Sequence, residues 1–143
     1  MKSSTQPIDV ERGDEVCYNR VMAERTLLWT TTDPRGLSVS LVADVWQHIV
    51  ERHDDMPPYF EAVRLTIEDP DEIYFDEQAT QQKATGARVE AYYKREILGT
   101  RLTDEYLLVS VKFVQELAGL RGYVQTALPQ RRIPRRVTLL WKK

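Results

Sequence analysis

The sequence predicts one α+β domain in which helices pack on one face of an antiparallel sheet. Two observations lead to this class. Apolar residues recur at helical spacing between residues 40 and 69, and runs rich in β-branched and aromatic residues fill the part after Pro70. The chain has 143 residues, enough for a single domain. We place that domain at residues 26–143. Residues 1–25 are polar, and we expect them to form a flexible lead-in with a short helix at 16–24.

The first predicted element of the domain is a β-hairpin. Residues 26–41, TLLWTTTDPRGLSVSL, contain two β-rich runs on either side of Asp33-Pro34-Arg35-Gly36. Asp, Pro and Gly are the residues that tight turns favour, so the four residues predict the turn of the hairpin.

Two helices are predicted next. The first spans residues 40–53, with Ser40 capping the amides at its start and Asp44 complementing the helix dipole in its first turn. The second begins at Pro57-Pro58, because proline is tolerated in a first helical turn, and ends before Pro70. Their predicted buried stripes are Val42, Val45, Trp46, Ile49 and Val50 in the first helix, and Phe60, Val63, Leu65 and Ile67 in the second.

All remaining elements are predicted to be strands. Each candidate is rich in β-branched and aromatic residues, and polar or glycine-containing loops separate them. The short connections indicate antiparallel pairing between neighbours. The candidate strands lie at residues 73–75, 88–97, 105–114, 121–128 and 136–141.

Composition and charge narrow the functional classes. The net charge of −2 does not indicate a nucleic-acid-binding protein, although the acidic run at 68–77 and the four arginines within 131–136 make the distribution uneven. The single Cys17 cannot form an internal disulfide. No apolar run approaches the roughly 20 residues that span a membrane, and the polar start is unlike a signal peptide. We therefore expect a cytoplasmic protein that has no membrane contact and needs no cofactor.

Both histidines of the chain lie within six residues of each other. His48 and Arg52 are four residues apart and share one helix face, whereas His53 lies about 140° further round a regular helix. The two histidines can converge on one ligand only if the helix unwinds near His53. Structural roles are the alternative, with His53 stabilising the helix C-terminus and His48 half-exposed on the helix flank. The spacing differs from HExxH and no third ligand is indicated, so no metal site is predicted.

Four short motifs, in the same order, resemble a known group of nucleases. The motifs are W-x-H-I-x-x-R-H at 46–53, TIEDPDEI at 66–73, YYK at 92–94 and QTAL at 125–128. Over about residues 37–143 the chain resembles the barnase–EndoU–colicin–RelE-like (BECR) superfamily, in particular its phage-associated nuclease type. This resemblance implies two helices on a curved antiparallel sheet of about four to five strands, here preceded by the hairpin. It also implies RNA cleavage without a metal.

Such cleavage requires a particular set of side chains. The ribose 2′-hydroxyl is the nucleophile, so a base, an acid and a cation for the phosphorane charge are needed. His48 and His53 suit the proton transfers and Arg52 suits the phosphate. The resemblance adds Tyr93 and Thr126 as catalytic candidates, while ordinary strand packing is the alternative for both. Since alternation places Thr126 with apolar neighbours, a β-bulge would be needed to turn it towards the site.

Basic residues on the strands and loops are candidates for binding the RNA backbone. Alternation along 88–97 places Arg88, Glu90, Tyr92 and Lys94 on one face, which we predict to be the open face. A solvated charged surface is the alternative for the arginines at 131–136. The candidate substrate-binding residues are Arg88, Lys94, Lys112, Arg131 and Arg132.

Three functions compete. The first is a toxin-like or phage-linked ribonuclease, with RNA as substrate and an antitoxin-like protein as a neutralising partner. The second is an inactive module of the same fold that binds a protein or nucleic acid, which the acidic run at 68–77 favours. The third, a metal-dependent phosphohydrolase using His53, Asp54 and Asp55, ranks lowest because such sites need more ligands. An open groove shared by His48, Arg52 and the Tyr93–Lys94 strand would favour the ribonuclease.

Overall fold

The computed structural model describes residues 26–81, 87–95 and 105–143. These ranges contain seven strands, three α-helices and one 3-10 helix at Pro57–Tyr59. The short helix expected at 16–24 lies outside the described residues. The strands are β1 (Leu27–Thr32), β2 (Ser38–Val42), β3 (Glu72–Asp76), β4 (Arg88–Arg95), β5 (Tyr106–Glu116), β6 (Gly119–Gln130) and β7 (Val137–Lys142), and the helices are α1 (Ala43–Arg52), α2 (Phe60–Glu68) and α3 (Glu77–Gln81).

The strands form one mixed sheet in the order β1-β2-β6-β5-β4-β3-β7. The pairs are antiparallel except β2 and β6, which run parallel. The α+β class is confirmed, but the expected antiparallel sheet of four to five strands and two helices is wrong in detail. The hairpin joins the sheet through β6, and β7 crosses to pair with β3. Both pairings join strands that are distant in sequence, so local patterns do not reveal them.

The predicted hairpin is confirmed and its turn explains one glycine. The Gly36 N–H donates to the Asp33 carbonyl at 2.9 Å, and Gly36 has φ of +88°. Side chains with a Cβ rarely adopt this conformation, so glycine suits the position.

The start of α1 differs from the prediction. Ser40 lies in β2, where its buried hydroxyl contacts Thr30 Oγ1 at 2.8 Å and accepts a hydrogen bond from Arg121 Nη2 at 2.7 Å. Its side chain is therefore occupied within the sheet, and α1 begins at Ala43 without a side-chain cap. The expected acidic residue, Asp44, does lie in the first turn.

The second helix ends before Pro70 as predicted, but its buried face was partly misassigned. Val63 and Ile67 are buried four residues apart, and Thr66 lies beside them with its hydroxyl donating to the Ala62 carbonyl at 2.7 Å. Leu65 lies on the other side of the helix and is exposed. The short helix α3 was missed altogether. Its start is stabilised by Asp76, whose carboxylate accepts the Ala79 N–H at 3.0 Å.

The core lies between the helices and one face of the sheet, and it corrects the prediction for β4. Tyr92 pairs across the sheet with Val109, which pairs with Ala127, and all three are in the core. Arg88, Glu90, Tyr92 and Lys94 therefore face the helices, and the prediction that they form an open face is wrong.

These polar side chains can face the core because each has a partner. Arg35 donates to Glu90 at 2.7 Å, the Tyr92 hydroxyl donates to Asp33 at 2.7 Å, and Lys94 donates to the Asp69 carbonyl at 2.7 Å. A buried polar group with a hydrogen-bond partner avoids most of the cost of losing water. Polar alternation alone therefore did not identify the solvent-facing side.

Candidate active site

The C-terminus of α1 brings both histidines towards one side. The helix ends at Arg52, and His53 has φ of −133° and ψ of 88°, outside the helical region. The His53 N–H still donates to the Ile49 carbonyl at 2.8 Å, and Ile49 is fully buried. The helix therefore unwinds at His53, as the convergence of the two histidines requires. Ile49 fixes the helix to the core.

A β-bulge in β6 supplies the opposite side of the site. Ser110 pairs with Thr126 and Val111 pairs with Val124, which leaves Gln125 without a partner in β5. The Gln125 side-chain amide donates to the Ser110 hydroxyl at 2.9 Å. An extra residue in one strand changes the local direction of the side chains, and bulges recur next to active sites. The bulge that Thr126 required is therefore present.

The pairing between β2 and β6 ends close to this bulge. Ser40 opposite Tyr123 is the last pair in the register of the two strands. The chain of β2 then continues into α1, which packs against β6, and the end of this helix lies beside Gln125 and Thr126. This arrangement positions a cavity between the two elements.

The cavity has a volume of about 380 Å³ and is lined by His48, Arg52, His53, Gln125 and Thr126. His48 and Arg52 are exposed, and Arg52 Nη1 lies 3.5 Å from His48 Nε2. We call this cavity the histidine pocket. Its described lining contains two imidazoles, one guanidinium, one amide and one hydroxyl, with no carboxylate. Such a lining can bind an anion such as a phosphate and can exchange protons with it.

Tyr93, by contrast, lies outside the described lining of the histidine pocket. It is 1% exposed and packs edge-on against Tyr74 and Tyr106, with ring centroids 5.7 and 5.5 Å away. Burial, reinforced by the charge of Asp76, raises the pKa of its hydroxyl. Among the described residues, Tyr93 and Lys94 are buried and do not line the histidine pocket with His48 and Arg52.

The expected substrate-binding residues are distributed over several surfaces. Lys94 bonds Asp69, and Arg88 donates to Glu90 at 2.6 Å, so both cations already have acidic partners. Lys112 is half-buried opposite Tyr123. Arg131 and Arg132 are exposed in the loop after β6.

The sequence did not identify Gln125 as part of the site. Its position in the QTAL motif next to Thr126 was the available signal, but the bulge that brings it to the histidine pocket depends on pairing with β5. Its amide oxygen is buried and has no hydrogen-bond partner among the residues that the structure describes.

The acidic run at 68–77 has internal roles. Hydrogen bonds from Lys143 and Lys94 lower the pKa of Asp69. The Asp71 carboxylate accepts the Arg95 N–H at 2.7 Å. Two acidic residues of the run therefore have partners within the domain.

Residues 26–81, 87–95 and 105–143 contain no group of three or more His, Cys, Asp or Glu side chains that could hold a metal ion. None of their helices is long and apolar enough to cross a membrane.

Comparison with known proteins gives one family. A family model described as phage-Barnase-EndoU-ColicinE5/D-RelE like nuclease 2 matches residues 23–142. The resemblance carried by the four motifs is thereby confirmed. No curated protein and no solved structure matches the chain.

Proposed function

Because the chain belongs to the phage-Barnase-EndoU-ColicinE5/D-RelE like nuclease 2 family, we propose that it is a ribonuclease acting through the histidine pocket. The observation that carries this proposal is the convergence of His48, His53, Arg52 and Thr126 on one open cavity. Cleavage of RNA by its own 2′-hydroxyl requires two groups that transfer protons and a cation that stabilises the phosphate. The two imidazoles and the guanidinium supply these groups.

In the proposed reaction the ribose 2′-oxygen attacks the adjacent phosphorus. One histidine accepts the 2′-hydroxyl proton while the other donates a proton to the departing 5′-oxygen. The P–O2′ bond forms and the P–O5′ bond breaks, which gives a 2′,3′-cyclic phosphate and a 5′-hydroxyl. Histidine serves both roles because its pKa lies near neutrality, so each protonation state is accessible at pH 7.

Arg52 and Thr126 act on the phosphate in this mechanism. No carboxylate in the described chain forms an ion pair with Arg52, so its guanidinium can donate to the non-bridging oxygens. These oxygens gain negative charge in the transition state, and hydrogen bonds to them then strengthen. The Thr126 hydroxyl, on the other side of the histidine pocket, can donate to the same phosphate.

A second candidate function is a binding module that keeps the fold but does not cut RNA. The location of Tyr93 favours it, because a residue that the family resemblance marks as catalytic is buried away from the histidine pocket. The two functions differ in a single measurable product.

Incubation of a mixed-sequence RNA with the protein, in parallel with and without EDTA, tests the proposal. We expect wild-type protein to release fragments with 2′,3′-cyclic phosphate ends and His48→Ala to lose this activity. Gln47→Ala, an exposed neighbour on α1, is the matched control and should cut as the wild type does. Folded wild-type protein that cuts no RNA would support the binding module, and cutting that EDTA stops would contradict the metal-free mechanism.

A further inference from the structure

One face of the sheet extends from the histidine pocket to the start of β5 at Tyr106. Thr126 and Gln130 project to the same side of β6, because side chains alternate along a strand. Gln130 pairs with Tyr106, which pairs with Arg95. Four residues of strand at ~3.3 Å each separate Thr126 from Gln130 by roughly 13 Å. A nucleotide beyond the two that flank the cleaved bond would therefore reach Tyr106.

Arg95 and Tyr106 form a cation–π pair at this end of the face. Arg95 Cζ lies 4.6 Å from the centroid of the Tyr106 ring, and Arg95 Nη2 donates to the Tyr106 hydroxyl at 3.0 Å. Tyr106 is half-buried and rests edge-on against the buried Tyr93, while Arg95 is exposed. The buried ring anchors the pair, and a guanidinium plane supported by an aromatic ring is a surface on which nucleobases stack.

Two exposed arginines lie beside this pair, directly after β6. Arg131 and Arg132 follow Gln130, which pairs with Tyr106. Arg131 pairs with Glu105 at 3.3 Å, but 82% of its side chain is exposed. Such exposed ion pairs contribute little, so an RNA phosphate can compete for this guanidinium.

We propose that Arg95 and Tyr106 form a stacking platform for a base of single-stranded RNA, and that Arg131 and Arg132 bind the adjoining phosphates. The position of the cleaved bond in this assignment rests on the proposed function of the histidine pocket. The substrate class is a single strand of several nucleotides. A duplex hides the faces of its bases, and a dinucleotide held at Thr126 is too short to reach Tyr106.

Binding of a fluorescent single-stranded 2′-O-methyl oligonucleotide tests the platform without cleavage, because the 2′-oxygen of this probe cannot attack. We expect Arg95→Ala and Tyr106→Ala to weaken binding by at least about fivefold, the lower bound for loss of one stacked base. Tyr106→Phe keeps the ring and should bind within about twofold of wild type. Arg64→Ala is the matched control, since Arg64 is a part-exposed arginine on α2 that pairs with Glu61 and Glu68.

The phosphate contacts have a separate signature in the salt dependence of binding. For a single strand, each phosphate contact contributes about −0.7 to the slope of log binding constant against log salt concentration. The double variant Arg131→Ala with Arg132→Ala should therefore reduce the slope by about 1.4.

The outcomes separate this inference from the proposed function. If the wild type does not bind the probe, or if Arg95→Ala and Tyr106→Ala bind as tightly as Arg64→Ala, the platform is refuted whether or not the protein cuts RNA. If the platform variants lose binding and natural RNA stays uncut, the ribonuclease proposal fails and the platform stands. If His48→Ala loses cleavage but retains binding, both stand. Arg95→Gln keeps a polar, exposed side chain and repeats the test if Tyr106→Ala does not fold.

Discussion

Replacing Arg35 with methionine should destabilise the domain strongly, although Arg35 lies in a surface turn. Arg35 Nη2 donates to Asp33 and Glu90 at 2.7 Å each and to the Tyr92 hydroxyl at 3.1 Å. The two carboxylates are 0% and 5% exposed. Burial alone would lower the pKa of Arg35, but the hydrogen bonds that it donates to Glu90 and Asp33 raise it, so the guanidinium is charged. The substitution therefore leaves two buried carboxylates without this cation.

The remaining contacts set the size of the loss. Removing one partner of a buried ion pair costs about 3–5 kcal/mol. Asp33 would keep hydrogen bonds from the Leu37 N–H and the Tyr92 hydroxyl, and Glu90 would keep Arg88. The Arg35 side chain is itself 24% exposed. We therefore expect the lower end, about 3 kcal/mol.

Urea unfolding monitored by circular dichroism measures this change, and for a domain of this size it corresponds to a fall in Tm of about 10 °C. Arg64→Met is the control, because Arg64 has two exposed carboxylate partners and should change stability by less than about 1 kcal/mol. Equal losses for Arg35→Met and Arg64→Met would refute the claim that burial of the carboxylates determines the cost.

Three further substitutions test other parts of the fold. Hydrogen bonds from Lys143 and Lys94 lower the pKa of Asp69. The stabilisation that they give is present above the ordinary carboxyl pKa and is lost as the pH falls through the lowered pKa. In urea titrations, the stability difference between wild type and Asp69→Asn should therefore shrink between pH 7 and pH 3. Gly122→Ala should destabilise by about 1–3 kcal/mol in the same assay, because the added Cβ would lie 2.8 Å from the Phe113 ring. Deleting Gln125 removes the bulge and should abolish RNA cutting, whereas Gln125→Ala keeps Thr126 in place and should retain part of it; equal activities would contradict the role of the bulge.

The sequence predicted local elements better than their assembly. The hairpin turn, the ends of α1 and α2 and the positions of β4 to β7 follow from turn residues, prolines and periodicity within a few residues. The pairing of β2 with β6 and of β7 with β3 does not, because it depends on contacts between distant parts of the chain.

The candidate site, like the fold, could be predicted from the sequence only in its local features. His48 and Arg52 follow from helical spacing, and the need for an unwound His53 and a bulge at Thr126 could be stated in advance. The burial of Tyr93 could not be predicted. The alternation of side chains along β4 shows which residues share a face with Tyr92 or with Tyr93, but it does not show which face the helices cover. The ion pairs of Arg35 and Lys94 allow the polar side chains of β4 to face the core, and such pairs depend on residues far away in sequence.

The distribution of charge is compatible with the proposed RNA-binding surface, although the net charge is −2. Asp33 and Glu90 are neutralised within the core, and Asp69 is held by two lysines. The described lining of the histidine pocket has no acid, and the surface beyond it carries Arg95, Arg131 and Arg132. An RNA strand interacts over short distances with the charges it touches, because salt screens those further than about 8 Å. For the proposed RNA binding, the arginines that the strand touches therefore matter more than the net charge of the whole chain.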